Sequence, residues 1–120
     1  MTDTMKAIVA EEGQPLRLAD VPRPQLGEHD VLVKVAAAGL NRADLVQRAG
    51  QYPPPPGASD IMGLECSGTV VETGAKVTRW KEGDRVTSCF FEDWTAGEIS
   101  AAAMASALGG ARQGVLAEEV

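Results

Sequence analysis

The chain is built from short runs of β-branched and apolar residues that are interrupted at close intervals by turn residues. Each run has the length of a β-strand and is bounded by glycine, proline or acidic residues. The runs are Lys6–Ala10, Leu16–Val21, Val31–Val35, Cys66–Thr73 and Arg85–Cys89. Because turns recurring between short strands are typical of barrels, we predict a mainly β fold with short helices.

Two helices are predicted between and after these strands. Asn41 followed by Asp44 resembles a helix start, and Gly50 is suited to the left-handed conformation that ends a helix. Thr95 with Glu98 forms a capping-box pattern ahead of a helix over residues 99–108. Just before Asn41, the small residues Ala36–Gly39 permit the close approach of another backbone or a ligand.

Size and charge limit the classes of partner and compartment. A chain of 120 residues fits one domain, and a net charge of −6 disfavours nucleic acid, whose phosphates require clustered Lys and Arg. No apolar run approaches the roughly 20 residues of a membrane helix, so we expect no membrane partner. Cys66 and Cys89 are too few for a disulfide framework. We therefore expect reduced thiols and a cytoplasmic location.

Phosphate and metal motifs are missing from the printed sequence. The glycines of Gly109–Gly114 have neither the Gly-x-Gly-x-x-Gly spacing nor a strand before them, and Gly63–Gly68 is not followed by Lys. His29 lies between two acidic residues, far in sequence from either cysteine, which is typical of a surface histidine. We therefore expect no pyrophosphate cradle and no metal site.

Several segments together resemble the medium-chain dehydrogenase/reductase family. They are Gly39–Asp44, Gln51–Ser59, Gly63–Gly68 and the turn Trp80–Val86. Zinc-dependent members of that family carry Cys where this chain has Asn41 and His where it has Leu64. The sequence therefore resembles the zinc-free quinone oxidoreductase branch, whose Asn-Arg-Ala-Asp, Gln-Tyr, polyproline and Gly-Leu-Glu elements occur here in the same order.

The resemblance implies a partly open GroES-like β-barrel, the alcohol dehydrogenase N-terminal-like domain. In the family a Rossmann nucleotide-binding domain follows at about the point where this sequence stops, and the chain later returns to complete the barrel. We therefore expect residues 1–120 to form an incomplete GroES-like domain, truncated before the Rossmann domain. The nucleotide-binding domain is absent from the printed sequence.

The resemblance also implies an activity. The expected reaction is zinc-independent hydride transfer from NADPH to a small-molecule quinone or α,β-unsaturated carbonyl, with the cofactor bound mainly by the domain outside this chain. A homodimer, or association with a nucleotide-binding domain, is the expected assembly. Two alternatives stay open: a zinc-free alcohol dehydrogenase-like oxidoreductase, and a non-catalytic GroES-like interaction module whose unpaired strand edges bind partners.

The resemblance assigns roles to four polar residues. Asn41 is expected to donate its amide to the nicotinamide or to the substrate oxygen, unless it is only a helix cap. Arg42 is a candidate to bind a cofactor phosphate. Its alternative is a place on a solvated helix face without a binding role. Tyr52 is the candidate hydrogen-bond donor or acid, with a surface anchor as its alternative. Glu65, expected to be partly buried, is a candidate for the substrate pocket or for a structural hydrogen bond.

Aromatic residues complete the expected substrate pocket. Phe90 occupies a position that lines the pocket in related alcohol dehydrogenases, and Phe91 and Trp94 are expected to join it. Aromatic side chains are equally suited to fill a core, so both roles stay open at this stage.

Overall fold

The computed structural model describes residues 3–11, 13–51 and 57–120, which form two antiparallel sheets and two short helices. Strands β1 and β2 pair in one sheet, and the other sheet has the order β3-β4-β5. The elements are β1 (Thr4–Val9), β2 (Arg17–Pro22), β3 (Val31–Ala38), α1 (Arg42–Arg48), β4 (Cys66–Thr73), β5 (Arg85–Thr87) and α2 (Ala101–Met104).

The hairpin β1–β2 follows the alternation expected of a half-buried sheet. Met5, Ala7 and Val9 are buried on one face. On the other face the Lys6 ammonium lies 2.6 Å from the Asp20 carboxylate, in an exposed ion pair between paired residues. The burial of the apolar face stabilises the hairpin, because exposed ion pairs contribute little.

The second sheet is centred on β4, which pairs with β3 on one side and with β5 on the other. Buried residues alternate along β4 at Cys66, Gly68 and Val70, so that this strand presents one face to the interior. Pairing with β3 shifts register between Leu32 and Val33, and again nearer the end of the strand. Such bulges bend a strand and increase its twist, which curves the sheet.

The C-terminal segment, residues 114–120, joins the two sheets by hydrogen bonding to both. On the side of the hairpin, the Ile8 N–H donates to the Leu116 carbonyl at 2.8 Å. On the other side, Val33 and Val120 exchange two backbone hydrogen bonds of 2.7 and 3.0 Å. The segment therefore lies between β1 and β3 and makes one continuous structure of the two sheets.

An ion pair also links the C-terminal segment to the residue that follows β2. The Arg23 guanidinium binds the Glu119 carboxylate through two contacts, Nε to Oε1 at 2.6 Å and Nη2 to Oε2 at 3.0 Å. These contacts raise the pKa of Arg23. The hydrogen bond with Glu119 is the larger cause, and the attraction between the two charges is the second. Bidentate geometry of this kind fixes orientation as well as adding energy.

The predicted mainly β and partly open fold is confirmed, because the described strands form two sheets that do not close into a barrel. The five predicted strands all occur, with ends that differ by a few residues, and the predicted helix after Asn41 is α1. The C-terminal segment pairs with the sheets through isolated bridges, such as Ala7 with Ala117.

The second predicted helix, over residues 99–108 with a capping box at Thr95 and Glu98, is wrong in its extent and in its cap. Helix α2 covers only Ala101–Met104, and its N-cap is Ser100, whose hydroxyl accepts the Ala103 N–H at 3.1 Å. Residues 107 and 108 leave the helix because they pair with Phe91 and Phe90 of the preceding loop. None of the helices in the described residues is long and apolar enough to cross a membrane.

The backbones pack closely where the C-terminal segment crosses residues 61–63. The Gly114 N–H donates to the Ile61 carbonyl at 2.9 Å, and the Leu116 N–H donates to the Met62 carbonyl at 3.0 Å. A Cβ at position 114 would overlap the carbonyl oxygens of Ile61 and Met62. Val115, between these two donors, is completely buried. Only glycine therefore fits at position 114 without displacing a backbone.

We predict that Gly114→Ala lowers the free energy of unfolding by about 1–3 kcal/mol, as over-packing of a rigid interior does. Urea denaturation followed by circular dichroism measures the change. Gly110→Ala is the matched control, because an added Cβ there meets the Ala107 carbonyl at an ordinary 3.6 Å. Equal stability of the two variants would contradict the close crossing.

A carboxylate cap at the turn before β5 predicts a pH dependence. Asp84 accepts the Lys81 backbone N–H at 3.0 Å and the Lys81 ammonium at 2.9 Å, and these contacts lower the pKa of Asp84, the backbone hydrogen bond most. A carboxylate whose pKa is lower in the folded than in the unfolded state stabilises the fold at pH values above its unfolded-state pKa. This stabilisation is lost as pH falls through the folded-state pKa.

Asp84→Asn is therefore expected to lower the Tm modestly at neutral pH. The difference from the parent chain is expected to begin to shrink as pH falls past the model-peptide pKa of about 3.9, and to vanish only below the lowered folded-state pKa of Asp84. Calorimetry across the acid range measures it. Glu82→Gln, in the same exposed turn and without a hydrogen bond in the described part of the chain, serves as the control. A difference between Asp84→Asn and the parent that does not depend on pH would rule out this cap.

Candidate functional site

The candidate site lies where the end of β3 meets the residues just before β4. The Gly39 N–H donates to the Glu65 carbonyl at 3.1 Å, and a Cβ at position 39 would overlap the Glu65 carboxylate. The close approach predicted for the small residues of this stretch is thus made by the backbone and side chain of Glu65.

Glu65 is exposed, which corrects the expectation that its carboxylate is partly buried. The physical reason is the alternation of β4. Since Cys66, Gly68 and Val70 face the interior, the residue before Cys66 faces outward. The Glu65 carboxylate is therefore hydrated and available at the surface of the site.

Two residues after Gly39, the first turn of α1 contains two buried polar atoms without partners. The Asp44 Oδ2 atom accepts the Asn41 backbone N–H at 2.8 Å, as the sequence pattern of a helix start predicts. Among the described residues, the Asn41 Nδ2 and Asp44 Oδ1 atoms have no hydrogen-bond partner, although both are buried. Because an unpaired buried polar group costs about 1–3 kcal/mol, this turn is the most unusual feature of the site.

A cavity of about 450 Å³, here called the site cavity, opens beside Gly39 and Glu65. Its remaining wall is formed by small residues of β3 and by thiol and hydroxyl groups of β4 and of the stretch that begins with β5. The lining residues are Ala37, Ala38, Gly39, Glu65, Cys66, Ser67, Thr87 and Ser88. The cavity is lined by hydroxyl groups, one carboxylate and otherwise small side chains, which suits a small polar molecule.

The hydroxyls at Ser67, Thr87 and Ser88 are site residues that sequence reasoning missed. Cross-strand pairing brings them together, since Ser67 pairs with Thr87 and the Ser88 hydroxyl accepts the Cys66 N–H at 2.9 Å. Single hydroxyl residues within strands form no recognisable motif. The only signal that could have found them is the antiparallel register of β4 and β5.

A larger cavity, here called the barrel cavity, lies against the three-stranded sheet. Its volume is about 720 Å³, and it shares Cys66, Thr87 and Ser88 with the site cavity. Leu32, Leu108 and Val120 are among the apolar residues that line it. The two cavities therefore meet across the β4–β5 pair.

The described side chains do not by themselves form a catalytic zinc site. Zinc in proteins is bound by three or four Cys, His or carboxylate ligands. Among residues 3–11, 13–51 and 57–120, no group of three such side chains is placed to hold a metal ion. Desolvation raises the pKa of the Cys66 thiol, although the hydrogen bond with Ser88 opposes it, so burial disfavours the thiolate form that binds metals.

The three aromatic residues predicted for a substrate pocket form a cluster of their own. The Phe90 and Phe91 ring centroids are 4.4 Å apart, and the Phe91 and Trp94 centroids are 6.2 Å apart. Phe90 is 40% exposed and Trp94 is 47% exposed. None of the three lines the site cavity or the barrel cavity. Their assignment to a substrate pocket stays a prediction.

The remaining predicted residues are placed as follows. Arg42 is the first residue of α1 and is exposed. Tyr52 lies outside the described residues, together with the proline run that follows it. The structure thus brings Glu65 into the site cavity and Asn41 to the turn beside it, and the roles predicted for Asn41, Arg42 and Tyr52 stay predictions.

Comparison with known proteins identifies the family. Residues 27–120 match the alcohol dehydrogenase GroES-like domain. An alcohol dehydrogenase of Rhizobium meliloti (strain 1021) is 46% identical over 80 residues, which is 67% of this chain and 24% of that protein. Quinone oxidoreductase-like protein 2 of Mus musculus is 43% identical over 81 residues, 67% of this chain and 23% of that protein. The chain thus matches about a quarter of the length of these relatives.

Solved structures give the same fold. A protein from Sinorhizobium meliloti 1021 described as an alcohol dehydrogenase superposes with a TM-score of 0.82 at 36% identity, covering 100% of this chain and 37% of that one. A second protein from the same organism, described as a zinc-binding dehydrogenase and solved with NADP, gives 0.80 at 29% identity, covering 99% and 36%. The chain belongs to the alcohol dehydrogenase GroES-like domain family of the medium-chain dehydrogenase/reductase superfamily.

Proposed function

We propose that this chain is the catalytic-domain portion of a zinc-independent, NADPH-dependent oxidoreductase that reduces quinones or α,β-unsaturated carbonyls. The nucleotide-binding domain of this proposed enzyme lies outside residues 1–120. The proposal draws on the family, on the similarity to quinone oxidoreductase-like protein 2, and on the polar groups around the site cavity.

The observation that carries the proposal is the unpartnered Asn41 Nδ2 atom at the start of α1. Reduction of a carbonyl acceptor places negative charge on its oxygen, and a fixed N–H donor stabilises that charge without having to reorganise. An amide that has no competing partner among the described residues is suited to this task. In the proposed mechanism Asn41 donates to the acceptor oxygen.

Zinc independence is proposed from the chemistry of the residues present. In the family resemblance, zinc-dependent members carry Cys and His at the positions of Asn41 and Leu64. An amide is a poor zinc ligand and the Leu64 side chain has no donor atom. Hydrogen-bond donors would then replace the Lewis acid that a metal supplies to such a carbonyl.

The residues present are proposed to contact the nicotinamide end of NADPH, with Arg42 as the candidate for one of its phosphates. When bound, this cofactor supplies the hydride. The described turn offers a free amide donor at Asn41, and Arg42 is exposed beside it for a phosphate. The sequence contains no Gly-x-Gly-x-x-Gly turn to cradle a pyrophosphate. We therefore propose that most of the cofactor is bound by the other domain.

A second candidate is an alcohol dehydrogenase-like activity, which is favoured by the alcohol dehydrogenase and L-threonine 3-dehydrogenase names among the relatives. The two candidates differ in their substrates, since the second is also a zinc-free activity. NADPH-dependent quinone reduction that persists after treatment with a chelator supports the first proposal. NADP-dependent alcohol oxidation that persists after the same treatment supports the second.

Asn41→Ala is predicted to reduce kcat for quinone reduction by about 10²–10³-fold, the usual effect of removing one oxyanion donor. Steady-state kinetics with a version of the protein that includes the nucleotide-binding domain measure this change. Arg48→Ala is the control, because Arg48 is exposed in the last turn of the same helix.

A kcat for Asn41→Ala within a few-fold of the parent value would remove Asn41 from the mechanism. A normal thermal unfolding curve for the variant is needed beside the kinetics. It separates loss of a catalytic group from loss of the fold.

Tyr52→Phe is predicted to reduce turnover while leaving NADPH affinity unchanged, because the phenol hydroxyl is proposed to donate to the acceptor carbonyl. Turnover is measured by the loss of nicotinamide absorbance, and affinity by nicotinamide fluorescence. Unchanged turnover would show that the Tyr52 hydroxyl takes no part in the reaction.

A further inference from the structure

Two surfaces of opposite charge lie at the two ends of strand β5. Before it, residues 76–81, here called the basic loop, contain three basic residues and no acidic one. After it, residues 90–99, here called the acidic surface, contain three acidic residues and no basic one. Both border the barrel cavity, which is lined by Trp80 from the basic loop and by Glu92 and Asp93 from the acidic surface. Because they border the same cavity, the two surfaces can contact one partner together.

The basic loop presents a cation on an aromatic ring. The central carbon of the Arg79 guanidinium lies 4.9 Å from the centroid of the Trp80 ring, and both residues are exposed. Lys76 and Lys81 are each paired with a carboxylate at 2.9 Å, whereas Arg79 has no carboxylate partner among the described residues. Stacking on a ring holds a guanidinium in place and leaves its N–H edge free to bind a carboxylate.

The acidic surface also contains exposed apolar side chains. Trp94 is 47% exposed and Ile99 is 38% exposed. The indole N–H of Trp94 already donates to the Gly97 carbonyl at 3.0 Å, so the rest of its ring is apolar area that needs no polar partner. Apolar side chains exposed beside charged ones are typical of a surface that binds another protein.

The ion pairs already present show which carboxylate is free to bind a partner. Arg112 faces both Glu92 and Asp93, with its Nη2 atom 3.1 Å from Asp93 Oδ2. Glu98 is exposed and has no cationic partner in the part of the chain that the structure describes. The complement of the acidic surface is therefore an aromatic ring that carries a cation, and the basic loop has both.

We propose that this chain forms a two-fold homodimer in which the basic loop of each copy binds the acidic surface of the other. Arg79 pairs with Glu98 of the partner subunit. Trp80 packs on the apolar side chains of the partner's acidic surface. In a two-fold dimer each contact occurs twice, and the axis passes between the two surfaces, at the barrel cavity. Because each copy carries a net charge of −6, unoriented copies repel, and these local charge pairs set the orientation.

The test is sedimentation velocity of the 120-residue chain across a dilution series. We expect a dimer that dissociates on dilution. Arg79→Glu and Glu98→Arg each bring like charges together twice per dimer, so each is expected to raise the dissociation constant by at least about tenfold. Arg48→Glu is the control for Arg79→Glu. It makes the same change of charge at an exposed position of α1, outside both surfaces, and is expected to leave the dimer intact.

Mixing the two variants gives the sharpest result. In a dimer of one Arg79→Glu copy and one Glu98→Arg copy, a carboxylate faces a guanidinium at both contacts. The equimolar mixture is therefore expected to dimerise as the parent chain does, although each variant alone does not. Recovery on mixing also separates loss of the contact from loss of the fold, because misfolded variants would not recover.

Three results would overturn the proposal. They are a folded chain that stays monomeric at every concentration, a dimer that Arg79→Glu does not weaken, and a mixture of the two variants that does not recover. A monomeric chain that instead binds a basic, aromatic peptide would assign the acidic surface to a different partner. The dimer does not depend on the proposed oxidoreductase function, and none of these results bears on that function.

Discussion

The structure depends on the backbone pairing of the C-terminal segment, residues 114–120, with strands of both sheets. This segment donates to and accepts from β1 on one side and β3 on the other. Without it the described residues would provide no β-pairing shared by the hairpin and the three-stranded sheet, and the hairpin alone would be marginally stable. The ion pair between Arg23 and Glu119 adds a second attachment at the end of the hairpin.

The same segment positions the candidate site. Its first residues bind the backbone of residues 61–63, which lead directly to Leu64 and Glu65. Glu65 in turn packs over Gly39, from which the chain continues into Asn41 and α1. A single connected path of backbone contacts therefore runs from the segment that joins the sheets to the turn with the unpartnered amide.

Sequence reasoning found the strands because their alternation and turns are local properties of the chain. The extent of α2 could not be predicted in this way, since residues 107 and 108 are drawn out of the helix by pairing with Phe90 and Phe91. The exposure of Glu65 depends on which face of β4 is buried. The motif around Asn41 indicated a site, whereas the missing partners of Asn41 Nδ2 and Asp44 Oδ1 are visible only in the packed structure.

Amide hydrogen exchange tests most directly whether the C-terminal segment unites the two sheets. The Ile8 amide of β1 and the Val33 amide of β3 both donate to this segment. If it joins the sheets into one cooperative unit, these two amides will exchange with the same free energy of opening as the Val70 amide, in the central strand β4. Exchange of Ile8 far faster than that of Val33 and Val70 would show that the hairpin opens independently, and would contradict this account.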